Sequence, residues 1–183
     1  MHFMPQVVTK VLLALLVPPV DMPVLVKARE NVVFRLTLRG GREAALRLHR
    51  PGYQSRKAIE AELVWTTMLA GGGMPVPPAV PTLRGALTAR VGDRVASMVE
   101  WLDGGPIGAA ERPLGGTVAE QRALMGRVGS VVAILHNATD DLSLPGTFER
   151  PHWDEDGFLG DRPLWGRFWE NPALGADDRA MIE

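Results

Sequence analysis

Apolar and polar residues alternate through residues 22–48, in the segments MPVLVKA, NVVFRLTL and REAALRL, with Arg39-Gly40-Gly41 between the last two. Alternation with a period of two sends successive side chains to opposite faces of a strand, and a Gly-Gly pair supplies the positive φ of a tight hairpin. Three antiparallel strands are expected. The period then lengthens: residues 55–70 (SRKAIEAELVWTTMLA) have helical spacing, with Ser55 as N-cap and Gly71-Gly72-Gly73 as the stop. The expected apolar stripe of this helix is Ala58, Ala61, Trp65, Met68 and Leu69. Residues 74–81 (MPVPPAVP) are expected to be an extended connector, because proline fixes φ and removes amide donors. A second hairpin follows, over 83–90 and 94–101, turning at Gly92-Asp93.

Strand signals stop after Leu102-Asp103-Gly104-Gly105-Pro106, and residues 119–136 (AEQRALMGRVGSVVAILH) read as a long helix that buries Leu124, Val128, Val131, Val132 and Leu135. A boundary is therefore placed near Gly104. Beyond Asp140 the chain becomes rich in Pro, Gly, Asp and aromatics and reads as a long loop, carrying Trp153, Phe158, Trp165, Phe168 and Trp169. Residues 177–183 (DDRAMIE) resemble the acidic first turn of a further helix. At the opposite end, residues 11–17 (VLLALLV) are too short for the ~20 apolar residues of a membrane span, and Pro18-Pro19-Val20-Asp21 offers no small-residue cleavage site. An N-terminal helix over 1–21 is expected there. The fold class is α+β: an antiparallel sheet with one helix over 22–103, then a helical region from 104 to 183.

Hydrophobic residues make up 46% of the 183 and charged residues 22%, the balance of a folded domain rather than a disordered chain. Lys and Arg number 20 against 21 Asp and Glu, so no broad field favours nucleic acid or an anionic membrane, and neither is expected as a partner. The absence of cysteine removes disulfides, thiolate metal sites and a cysteine nucleophile, and suits a cytoplasmic setting.

Within this frame, alternation puts Ala45, Arg47 and His49 on one face of the third strand and Leu46 and Leu48 on the other. Glu62 follows Ala58 by four residues and precedes Trp65 by three, so it lies on the inward stripe of the helix. A carboxylate there needs a partner, since a buried unpaired charge costs several kcal/mol, and Arg47 is the nearest cation by topology. The alternative is that Glu62 sits at the rim of the stripe in water while Arg47 pairs with surface acids. Lys27 to Arg35 (KARENVVFR) spans the turn between the first two strands without a Gly-x-Gly-x-x-Gly pattern. His136 offers itself as a local general base, although a helix-end ring set in the core is the blander expectation. His2 and His49 have no metal-ligand spacing.

Five stretches, Glu30-Asn31-Val32-Val33-Phe34-Arg35, Leu46-Arg47-Leu48-His49-Arg50-Pro51-Gly52-Tyr53, Glu62-Leu63-Val64-Trp65, Glu100-Trp101-Leu102-Asp103-Gly104 and Ala133-Ile134-Leu135-His136, together resemble the aminoglycoside phosphotransferase and choline or homoserine kinase-like superfamily. The likeness runs over the chain after about Met22. It implies a protein-kinase-like small lobe over 22–103 and the start of a large lobe over 104–183, left incomplete before the catalytic loop. It also implies ATP- and Mg²⁺-dependent transfer to a hydroxyl of a small molecule, with nucleotide and acceptor alcohol as partners. By the same resemblance Ala45 covers the adenine, Arg47 holds the α- and β-phosphates, and Glu62 braces Arg47. Amides at Glu30 and Asn31 close over the phosphates, and the main chain at Glu100 and Leu102 meets the adenine. Arg47 stands where many members carry Lys, and the two cations differ in phosphate geometry.

No catalytic residue is assigned. The superfamily's catalytic Asp, the Asn that follows it and the later metal-binding Asp have no counterparts in this sequence, so Mg²⁺ ligands are expected to be absent. His152-Trp153-Asp154 imitates a His-x-Asp loop, yet Leu159 stands five residues after Asp154 in place of Asn. Two classes of function remain: a phosphotransferase portion with nucleotide-binding features and no chemistry of its own, or a non-catalytic binding module on the same scaffold.

Overall fold

The computed structural model describes residues 19–108 and 112–182. The helix expected over 1–21 lies, up to position 18, outside the described residues. The chain divides into two compact units after Phe148.

In the first unit five strands form one antiparallel sheet: β1 (Val24–Ala28), β2 (Val32–Thr37), β3 (Glu43–Leu48), β4 (Thr88–Val91) and β5 (Arg94–Glu100), in the order β1-β2-β3-β5-β4. The three expected N-terminal strands are present. Gly40 and Gly41 take φ of 85° and 78° in the β2–β3 turn, a conformation that costs other residues steric strain. The strand expected over 83–90 is shorter than anticipated. Thr82 closes a turn instead, its amide donating to the Ala86 carbonyl at 2.9 Å, and pairing begins only at Thr88.

Alternation sorts the sheet into two unlike faces. Phe34, Leu36, Ala44, Leu46, Leu48, Ala96 and Met98 occupy one of them, all buried, and form the core cluster with Leu38, Val80 and Val91. Burying each large aliphatic side chain contributes about 1.5–3 kcal/mol, so this layer supplies most of the cohesion of the sheet. The opposite face carries Val33, Arg35, Ala45, Arg47, Ser97 and Val99, brought side by side by the register Val33↔Arg47↔Ser97 and Arg35↔Ala45↔Val99.

Helix α1 (Arg56–Gly71) begins where Ser55 accepts the Ala58 amide at 3.0 Å and stops at Gly72. Its N-terminal end is pinned to β4: Thr88 Oγ1 donates to Glu60 Oε1 at 2.5 Å, and Arg56 Nε lies 2.9 Å from each. Burial opposes the Glu60 charge, but the Thr88 and Arg56 hydrogen bonds outweigh it and hold this carboxyl below its usual range. The buried stripe differs from the expected one. Ile59 and Leu63 join Ala58, Ala61 and Leu69 inside, while Trp65 and Met68 are half-buried. The connector at 74–81 is extended as expected and continues the β4 side of β5 past the end of β4, with Val80 N donating to Met98 O and Glu100 N to Pro78 O.

Helix α2 (Val118–Asp140) starts at a capping box formed by Thr117 and Glu120. None of its residues is buried. Of the five residues expected to be buried, Leu124, Val128 and Leu135 are only half-buried, and Val131 and Val132 are exposed. His136 is exposed too, and the helix runs a further turn past it to Asp140, so its ring is not the core histidine that was expected. Among the described residues no helix is long and apolar enough to cross a membrane.

The second unit is less irregular than expected. It holds α3 (Glu155–Leu159), a 3₁₀ turn (Phe168–Glu170) and α4 (Ala176–Ile182), the last beginning where an acidic first turn was read. Its aromatics pack on each other edge to face, Trp153 with Phe158 at 5.8 Å and with Trp165 at 5.7 Å.

Candidate functional site

A cleft lies between the polar face of the sheet and α1, walled by Ala45, Arg47 and His49 from β3 and its exit, Ser97 and Val99 from β5, and Glu62 from α1. Arg47 NH1 and Glu62 Oε1 meet at 3.3 Å. The inward carboxylate therefore finds the strand's cation, and the reading that left Glu62 in water gives way to it. Both side chains keep partial access to solvent, which leaves the guanidinium free to address a second anion while Glu62 holds its position.

Next to the pair, His49 is buried and its Nε2 lies 2.8 Å from Ser97 Oγ. Burial, assisted by the neighbouring Arg47 cation and opposed by Glu62, pushes the imidazole down to about 4, so it is neutral at physiological pH. Neutrality prevents His49 from competing with Arg47 for Glu62. Sequence reasoning placed His49 on the face of Ala45 and Arg47 but gave it no role there, and it missed Ser97, which becomes a neighbour only through the β3–β5 register.

The segment leaving β5 is held on both sides. Trp101 N donates to Glu43 O at 3.1 Å, and Glu100 N turns the other way to Pro78 O at 3.0 Å. The Glu100 carboxylate takes a hydrogen bond from Arg42 at 2.5 Å, and Leu102 is exposed beyond the last sheet contact. Arg35 forms a two-point bond with Glu43, at 2.7 and 2.5 Å, and lies over the Trp101 ring at 4.6 Å. The Glu43 hydrogen bond raises the Arg35 pKa, and the same contact holds the Glu43 carboxyl below its ordinary range. The β1–β2 turn is fastened from below: Asn31 Oδ1 accepts the Arg50 amide at 3.0 Å, and Glu30 pairs with the Arg50 guanidinium.

The structure thus gathers Ala45, Arg47 and Glu62 around one cleft, with Glu100 at the end of the strand that lines it. Glu30 and Asn31 sit at the adjoining turn, tied to Arg50 rather than to the cleft's side chains. Asp154 caps α3, its carboxylate accepting the Gly157 amide at 2.9 Å. Among the described residues no group of three or more His, Asp or Glu side chains is placed to hold a metal ion.

The fold recurs in solved structures. A microcompartment-associated aminopropanol kinase matches 87% of the chain with a TM-score of 0.64 and 28% identity. The chain shares the fold of the aminoglycoside phosphotransferase and protein-kinase-like superfamily. A second superfamily structure, an amicoumacin kinase in complex with AMP-PNP, Ca²⁺ and Ami, matches 84% of it with a TM-score of 0.61 at 21% identity. An uncharacterized protein of Deinococcus radiodurans is 35% identical over 150 residues, 79% of the chain and 40% of that relative. The chain spans about half the length of these kinases, 48% and 47%. No family model matches the sequence.

Proposed function

We propose that this chain forms the nucleotide-binding part of an ATP-dependent phosphotransferase whose acceptor is a small-molecule hydroxyl. The observation that carries the reading is the Arg47–Glu62 contact on the face shared with Ala45 and Val99. An arginine held by a carboxylate at the mouth of a cleft presents its remaining donors to phosphate oxygens, and small apolar side chains beside it leave room for a flat base. Residues 22–103 act as the small lobe, and the large lobe begins at residue 104. Ala45 covers the base, the main chain at Glu100 and Leu102 binds its edge, Arg47 holds the phosphates, and the turn at Glu30 and Asn31 closes above them.

The chain by itself transfers no phosphoryl group in this reading. The carboxylate of Asp154, which lies in the stretch most like a catalytic loop, is engaged as a helix cap, and Leu159 occupies the position of the metal-binding Asn. Bound metal in the superfamily neutralises the transferred phosphate's charge, and the described residues leave that task unassigned.

Titration calorimetry with ATP tests the binding role. The parent chain is expected to bind, and Arg47→Ala to weaken binding about tenfold or more, the worth of a charge-assisted contact. Unchanged affinity in Arg47→Ala, or no binding by the parent, rejects the reading.

A further inference from the structure

We propose that Trp65 is a positioning residue for the Arg47–Glu62 pair, linking α1 to α2 so that the seating of one helix on the other decides how Glu62 meets Arg47. The inference rests on the nucleotide-binding reading of Arg47.

Glu62 and Trp65 are one helical turn apart on the same side of α1, so a rotation of the helix that moves one side chain moves the other. The indole Nε1 of Trp65 donates to Thr139 Oγ1 at 3.2 Å, and that hydroxyl donates in turn to the Leu135 carbonyl at 2.8 Å. An indole N–H can only donate and a hydroxyl has a single proton, so with that proton committed to Leu135 the Thr139 lone pairs must face Trp65. The chain of bonds has one direction and one geometry. It joins α1 to the last turns of α2, an element separated from it in sequence by two strands and the whole β5–α2 connection.

Helix α1 is thus held on both sides of Glu62, and farther along Thr67 Oγ1 accepts the Ala79 amide of the connector at 3.0 Å. Arg56 and Glu60 pin its first turns to Thr88 on β4, and Trp65 fixes its middle to α2. Glu62 lies between these anchors. Its contact with Arg47 is 3.3 Å, long against the ~2.7–2.9 Å of a tight guanidinium–carboxylate bond, so a few tenths of an ångström in the seating of α1 tighten or release it. A site poised in this way responds to whatever sets the position of α2, and Trp65 is the side chain through which the response passes.

The test uses the full chain, ATP as titrant, and two variants that remove the hydrogen bond while keeping volume, Trp65→Phe and Thr139→Val. Each is expected to weaken ATP binding about fivefold, and the two together no more than either alone. In a Glu62→Gln background both substitutions should leave ATP affinity unchanged while still lowering the melting temperature, because their effect on binding runs through Glu62 and their effect on stability does not. If both variants bind ATP like the parent while Arg47→Ala is weakened, the inference is wrong and the nucleotide reading stands. An equal loss of affinity in the Glu62→Gln background overturns it too, by showing a merely structural role. Should Arg47→Ala bind ATP normally, the nucleotide reading falls and the inference falls with it.

Discussion

His49 and Ser97 close the inner wall of the cleft with a 2.8 Å contact between Nε2 and Oγ, tying the exit of β3 to β5 beside the Arg47–Glu62 pair. Placing an imidazole within reach of a cation and a carboxylate is useful only while the ring stays uncharged. Protonated, it would set a second positive charge against Arg47 and draw Glu62 away from it.

Stability should therefore depend on pH through His49. Its folded-state value is about 4 against an ordinary 6.5, so between those values the unfolded chain takes up a proton that the folded chain refuses. The contribution of the neutral ring is complete above about pH 6.5, declines as pH falls toward 4, and levels off below. The loss should be on the order of 2 kcal/mol. Urea unfolding at pH 7.5 and 4.5, for the parent and His49→Gln, measures it. The parent should lose more stability than the variant over this interval, and identical losses would show that His49 does not carry the dependence.

Asp154 is expected to act as a cap and not as a catalytic base. The purified chain should show no ATP-dependent phosphorylation of aminoglycosides, choline or homoserine. Asp154→Ala should cost about 1 kcal/mol in the second unit by loss of the Gly157 hydrogen bond, read as faster amide exchange over 155–159. Turnover that disappears in Asp154→Ala would reverse this assignment.

The two units should differ in resistance to protease. Residues 22–102 include the buried layer of Phe34, Leu36, Leu46 and Met98, whereas α2 has no buried residue and the second unit is held chiefly by edge-to-face aromatic pairs. Brief trypsin treatment should cut first after Arg167 or Arg179 and leave the sheet intact, as judged by mass spectrometry. Early cuts within 22–102 would contradict this ranking of local stability.

Features governed by neighbouring residues were readable in advance. The three N-terminal strands follow from alternation, the β2–β3 turn from Gly40-Gly41, and α1 from its Ser55 cap and glycine stop, since each depends on local backbone preference. The Arg47–Glu62 contact was within reach because strand parity and helix phase each point a charge inward. The start of the second hairpin was not, because Thr82 binds its own turn in competition with the ladder.

The amino-acid sequence by itself determined the order of elements, the face on which Ala45, Arg47 and His49 stand together, and the inward direction of Glu62. Tertiary structure alone decided that β5 inserts between β3 and β4, which sets Ser97 opposite Arg47 and gives His49 its partner. It also decided that Trp65 reaches Thr139, 74 residues away, and that Val131 and Val132 remain in water. Periodicity reports which side of an element is apolar; it carries no record of which distant element, if any, comes to cover that side, because that choice is made by the packing of the whole chain.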